Sequence, residues 1–163
     1  MLRRCIFTLA LAVSVVLPCV AQAQKLVFVV RHAERADDPA KLEKDPALSK
    51  AGEARAARLR DMLADAGIRA IYVSEYRRTQ QTAAPLADTL KVKPELVPAT
   101  ATALIANMRA SHANDTVLIV GHTSTIPTIV KALTGSALEI AESDYTNLFI
   151  VVPATRSVTK LRF

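Results

Sequence analysis

Short apolar runs of strand length alternate along the chain with longer segments whose apolar positions recur at helical spacing. Three runs stand out: Leu26 to Val30, Ala70 to Val73, and Thr116 to Val120. A polar, proline-punctuated segment from Glu34 to Pro46 follows the first and reads as a loop. Ser49 then has the position of a helix N-cap, with Gly52-Glu53 in the first turn. Ala54, Ala57, Leu59, Met62 and Leu63 supply an apolar side to that helix; Arg55, Arg58 and Asp61 supply a polar one. Gly67 is expected to close it as the C′ residue.

Further helices are predicted over Arg77 to Leu90, Ala101 to Ser111, and Pro127 to Leu133. Pro127 suits a first helical turn, where its missing N–H costs nothing, and Gly135 ends that helix. Glu95 to Val97 reads as a short extended piece. Asn147 to Val152 and Ser157 to Arg162 read as two more strands joined near Pro153. The alternation predicts a three-layer α/β/α fold with a mostly parallel sheet covered on both faces.

The first residues follow a different pattern. Arg3-Arg4 precede an apolar stretch from Cys5 to Val20, and Ala21-Gln22-Ala23 has the small-x-small form of a cleavage site. Residues 1–23 are therefore expected to be a secretory signal peptide. The apolar run of about 16 residues falls short of the ~20 that a spanning helix needs. Cys19 raises lipidation as an alternative, although Pro18 fits a lipobox poorly. Cleavage near Ala23 would leave one domain over 24–163, periplasmic or secreted, with no stable membrane insertion.

Both cysteines of the chain, Cys5 and Cys19, fall in that leader. The remainder has no thiol for a disulfide or a nucleophile. With Arg3 and Arg4 removed from the 21 basic residues, 19 stand against 15 acidic ones, a net charge of +4. That balance favours an anionic substrate. It does not suggest nucleic acid, because no run of basic residues interleaves with aromatics.

The chemistry sits at the ends of the apolar runs. Arg31-His32 follows the first, Ser74 and then Arg77-Arg78 follow the second, and Gly121-His122 ends the third. In open α/β sheets ligands bind at the carboxyl ends of the strands. A neutral imidazole can attack phosphorus and carry it as phosphohistidine. A phosphate monoester carries nearly two negative charges above its second pKa of ~6, and guanidinium forks bind its oxygens in pairs. Gly121 would let backbone approach a ligand closely. Thr123, Ser124 and Thr125 are candidate caps for the next helix, whose start would favour an anion. Arg78 and Thr82 are four apart and share a helix face. Arg77 reads as a solvated helix residue.

At these positions the chain resembles the histidine phosphatase superfamily, in its phosphoglycerate mutase-like branch. Arg31-His32-Ala33 corresponds to the family's Arg-His-Gly signature. Leu48-Ser49-Lys50-Ala51-Gly52, completed by Ala56, corresponds to its Leu-Ser/Thr-x-x-Gly-x-x-x-Ala stretch. Ser74, Arg78, Thr82 and Ala83 correspond to Ser-x-x-x-Arg-x-x-x-Thr-Ala, and Gly121-His122 to the second-histidine motif. The resemblance implies that His32 is the phosphorylated nucleophile. Arg31, Arg78 and His122 would complete the catalytic and substrate-binding pocket, with no metal or organic cofactor. It implies an exported phosphomonoesterase acting on a small phosphorylated substrate, for instance a sugar phosphate or a cell-envelope phosphate.

Two departures bear on mechanism. Ala33 stands where the family has glycine, which is acceptable if its φ is negative. The family's leaving-group acid lies in an insertion after the Arg-x-x-x-Thr helix, and here that region, Pro94 to Ala103, is short. Glu34, Asp37, Asp38 and Glu95 are the candidate donors, Glu95 being expected in an edge strand. Three other readings are compatible with the residues. One is a non-catalytic phosphate-binding module. Another is a metallohydrolase using His32, His122 and Glu34 or Asp37. The third is a mutase-like phosphoryl transfer.

Overall fold

The computed structural model describes residues 25–36 and 44–163. The expected leader, Asp37 and Asp38 lie outside these residues. The described elements run β1 (Leu26–Arg31), α1 (Lys50–Leu63), β2 (Ile68–Val73), α2 (Arg77–Leu90), β3 (Glu95–Leu96), α3 (Ala101–Ser111), β4 (Thr116–Gly121), α4 (Ile126–Thr134), β5 (Asn147–Val152) and β6 (Ser157–Arg162). They form one sheet in the order β3-β2-β4-β1-β5-β6. β3, β2, β4 and β1 are mutually parallel. β5 runs antiparallel to β1, and β6 antiparallel to β5.

Side-chain alternation explains the unbroken apolar runs. Phe28 and Val30 of β1, Ile71 and Val73 of β2, and Leu118 and Val120 of β4 face one layer. There they meet Leu59 and Leu63 of α1 and Ala83, Leu86 and Ala87 of α2. Val27, Val29, Ala70, Tyr72, Val117 and Ile119 face the other layer, against Leu104, Ile105 and Met108 of α3 and Ile129, Val130 and Leu133 of α4. A strand buried on both faces has no polar alternation to show.

Two local expectations are corrected. The buried stripe of α1 is Gly52, Ala56, Leu59 and Leu63, while Ala54 and Met62 face solvent. Spacing of four, three and four keeps that stripe on one side of a helix. Gly67 is not the C′ residue: the cap is Ala64, and Gly67, with φ 68°, lies further on in the turn that enters β2. Ser49 does cap α1, its hydroxyl accepting the Gly52 N–H at 3.1 Å.

The parallel strands β2, β4 and β1 are neighbours, so their carboxyl ends share one edge of the sheet. Ser74, Gly121-His122 and Arg31-His32 emerge there together. Among the described residues, no helix is long and apolar enough to cross a membrane.

Candidate active site

His32 follows β1, and its backbone N–H still donates to Gly121 of β4, at 2.9 Å. The ring is buried, and Nδ1 lies 2.8 Å from the carbonyl oxygen of Ala33. A carbonyl only accepts, so that nitrogen carries the hydrogen and Nε2 keeps its lone pair. Nε2 has no hydrogen-bond partner among the described residues and is not sealed from solvent.

The loop behind His32 is fixed from two sides. The Ala33 N–H donates to Thr82 Oγ1 at 2.9 Å, and the Thr82 hydroxyl donates to the Arg78 carbonyl at 2.7 Å. The Ser49 N–H donates to the Glu34 carbonyl at 2.9 Å. Ala33, Leu48 and Ala56 pack together as a small apolar cluster. Ala33 is fully buried, and it is not among the described non-glycine residues with positive φ, which are Lys91 and Arg156. An alanine therefore fits where the family has glycine.

The second histidine is held as a neutral ring by a relay. Arg78 Nη2 lies 3.4 Å from His122 Nδ1, and a guanidinium only donates. Nδ1 is then the acceptor, and Nε2–H donates to Ser74 Oγ at 2.9 Å. The Thr79 hydroxyl donates to the Tyr76 carbonyl at 2.8 Å, so the Ser74 hydroxyl gives its own hydrogen to Thr79 Oγ1 at 3.0 Å. The His32 and His122 ring centroids are 5.3 Å apart. Burial holds the pKa of each well below the usual imidazole value, at about 4. The Ala33 hydrogen bond opposes the shift at His32, while the other histidine, Arg78 and Arg31 add to it. At His122 the Arg78 guanidinium is the next cause after burial.

The rest of the cleft is cationic with aromatic walls. It encloses about 520 Å³ and is lined by Arg31, His32, Arg35, Arg78 and His122, with Tyr76, Tyr145 and Glu142 at its sides. Thr123, Ser124 and Thr125 complete it at the start of α4. The Arg31 guanidinium stacks on Tyr145 at 4.1 Å, and Arg78 on Tyr76 at 4.3 Å. Arg31 Nη2 donates to Glu142 Oε2 at 3.1 Å and to the Tyr145 hydroxyl at 3.3 Å, while Nη1 donates to the Glu142 carbonyl. Arg78 Nη1 reaches Asp45 at 3.4 Å. The Nε atoms of Arg31 and Arg78 are both buried without a partner.

All four residues expected to form the site, His32, Arg31, Arg78 and His122, line this one cleft. The donor candidates do not. Glu34 turns to Arg55, which grips it through Nε and Nη2 at 2.6–3.0 Å. That guanidinium holds the Glu34 carboxyl below its usual range. Glu95 does lie in the edge strand β3, where it meets His112 Nε2 at 2.9 Å. Asp37 and Asp38 fall outside the described residues. Glu34 is likewise drawn away from the histidines as a metal ligand.

Two roles at the second motif are also corrected. A Cβ on Gly121 would meet Thr125 Oγ1 and Ile126 Cγ1 at 3.1 Å, so the close approach is to the chain's own next turn. Thr125 does not cap α4 with its side chain; that oxygen takes the His122 N–H at 3.0 Å.

Sequence reasoning missed Tyr76, Tyr145, Glu142 and Asp45. Glu142 and Tyr145 lie in the α4–β5 connection, where no motif marks them. The antiparallel sense of β5 was the available signal. Leu148 pairs with Val30, so residues just before β5 reach the edge where β1 ends.

Residues 27–100 match the family model of the histidine phosphatase superfamily (branch 1). That match spans a little under half of the chain, and over it the chain is similar to that superfamily. The matched span ends before β4, so His122 is placed by the structure. A solved structure of the protein histidine phosphatase SixA complexed with tungstate superposes with a TM-score of 0.65 at 19% identity, over 83% of this chain and 94% of that one. A SixA protein from Agrobacterium tumefaciens gives 0.62 at 21%, over 79% and 92%. A mycobacterial glucosyl-3-phosphoglycerate phosphatase in complex with inorganic phosphate gives 0.63 at 14%, over 85% and 95%. At these identities the likeness establishes the fold. No curated protein sequence matches the chain.

Proposed function

We propose that the protein is a phosphomonoesterase that works through a phosphohistidine on His32. One observation carries this: His32 Nδ1 is tied to the Ala33 carbonyl, which leaves Nε2 as an unprotonated nitrogen in a cationic cleft. A low pKa keeps that nitrogen nucleophilic at any pH the protein meets near neutrality. Arg31 and Arg78 bind the phosphoryl oxygens and follow their charge into the transition state. His122, neutral and donating to Ser74, stands beside His32 with ring centroids 5.3 Å apart. The solved structures named as a protein histidine phosphatase and a glucosyl-3-phosphoglycerate phosphatase support a phosphorylated substrate.

The export reading belongs here too. Residues 1–23 have the charge, length and cleavage pattern of a signal peptide, and the mature protein would act in the periplasm or outside the cell. N-terminal sequencing of the protein from a periplasmic extract tests it; a chain still beginning at Met1 counts against it.

The activity test is release of phosphate from 4-nitrophenyl phosphate and a panel of sugar phosphates, with and without EDTA. Turnover insensitive to EDTA, blocked by vanadate and lost in His32→Ala is expected. Full activity in that variant would remove the mechanism. A second reading, a phosphate-binding module without turnover, is favoured by the absence of Glu34 and Glu95 from the cleft. Binding of phosphate with no hydrolysis across the panel would select it.

A further inference from the structure

A carboxylate does reach the cleft, from a place outside the sequence motifs. Glu142 lies in the connection between α4 and β5, and is the one acidic side chain among the described residues that line the pocket. Its carboxylate touches Arg31, the residue before His32, while the side chain remains 83% exposed. His32, His122 and Arg31 are buried and Arg78 is half-buried, whereas Glu142 lies at the exposed side of the cleft, open to a departing group.

We propose that Glu142 is the proton donor to the leaving group, and then the base for the attacking water. The proposal rests on the reading of His32 as nucleophile. Asp45, the other carboxylate near the site, takes the Arg77 N–H at 2.9 Å and Arg78 Nη1 at 3.4 Å. His122 gives its one ring hydrogen to Ser74. Arginine does not release a proton at ordinary pH. Glu34 and Glu95 are paired elsewhere.

A phosphoryl group arriving on Arg31 competes for the cation that now faces the carboxylate, which frees Glu142 from that ion pair. In the first step the His32 Nε2–P bond forms and the ester P–O bond breaks. The Glu142 proton passes to the departing oxygen, which leaves as the alcohol. In the second step water attacks phosphorus and the N–P bond breaks. The Glu142 carboxylate takes one proton from that water, releasing phosphate and restoring the carboxyl.

The test compares wild type with Glu142→Gln on phosphate esters from 4-nitrophenyl to simple alkyl, using kcat/KM, which reports formation of the phosphoenzyme. A good leaving group needs little help, so the variant should stay within a few-fold on 4-nitrophenyl phosphate. On alkyl phosphates it should lose about 10²–10⁴-fold. The variant should also release a burst of nitrophenol stoichiometric with enzyme, because its phosphohistidine hydrolyses slowly. Equal losses on both substrates, no loss, or a gain on both would overturn the proposal. A gain would make Glu142 a competitor of phosphate for Arg31. Radiolabel trapping separates the two levels of failure. Phosphohistidine that forms and hydrolyses equally fast in both proteins removes only Glu142. Absence of phosphohistidine from both removes the reading of His32 and this proposal with it.

Discussion

Gly52 lies against the backbone of Glu34. A Cβ placed on it would meet the Glu34 carbonyl oxygen at 2.1 Å and the Glu34 carbon and nitrogen at 3.1 Å. Glu34 continues the loop whose Ala33 carbonyl holds His32 Nδ1. The first turn of α1 is therefore the seat of the loop that orients the proposed nucleophile.

Gly52→Ala should accordingly damage both stability and turnover. The clash is with backbone, so no flexible side-chain end can yield. Overpacking of this kind costs about 1–3 kcal/mol. Movement of Ala33 would loosen the His32 ring, so kcat should fall as well. Urea unfolding and steady-state kinetics check the two effects. A variant with wild-type values of both would show that α1 is not seated on this loop.

Thr82→Val should act on the same loop from the opposite side. Valine has nearly the same shape but leaves the Ala33 N–H, now bonded at 2.9 Å, without an acceptor. A buried donor stranded in this way costs about 1–3 kcal/mol. Thr82→Ser keeps the oxygen and should recover most of the loss. If serine were no better than valine in thermal unfolding, the hydrogen bond would not be the cause.

Ser74→Ala tests the relay at the second histidine. It removes the acceptor of His122 Nε2–H and the link onward to Thr79. The ring is then free to rotate away from Arg78. The expected result is a fall in kcat greater than the rise in KM, with a stability loss of about 1–3 kcal/mol. A change in KM alone would mean that Ser74 serves binding and does not position His122.

The parts of this molecule that could be read from sequence are those set by local period and by contiguous motifs. α2 and α3 run over the predicted Arg77–Leu90 and Ala101–Ser111 because their apolar spacing and flanking residues agree. His32, Arg78 and His122 were legible because each follows a strand that points to the same edge. The cleft's other wall was not. Glu142 and Tyr145 reach Arg31 across 111 and 114 residues of sequence, through the antiparallel pairing of β5 with β1. A strand's direction leaves no mark on its own composition. The true face of α1 was missed for a related reason: alanines on both sides of the helix leave Gly52 and Ala56 indistinguishable from Ala54 until the packing partner, the loop behind His32, is in place.

The two buried histidines make stability fall on the acid side of neutrality. In the unfolded chain each takes up a proton near the ordinary value of 6.5, whereas in the fold burial delays this to about 4. Between those limits the unfolded state binds more protons, so the free energy of unfolding decreases as the pH is lowered from 6.5 towards 4. His112 acts in the opposite sense and in a different window. Its bonds to Asp115 and Glu95, at 2.9 Å each, raise its pKa. Its contribution is full below 6.5 and is lost as the pH rises through that raised value. Urea midpoints measured from pH 4 to 8 should therefore decline at both ends. His122→Gln should flatten the acid limb, and His112→Gln the alkaline one. The same shift predicts that the acid limb of kcat/KM follows ionisation of the substrate, near its second pKa of ~6, and not protonation of His32. An acid limb that stays put when the ester is exchanged for one of different phosphate pKa would contradict that assignment. So would a stability that is flat or rising from pH 6.5 down to 4.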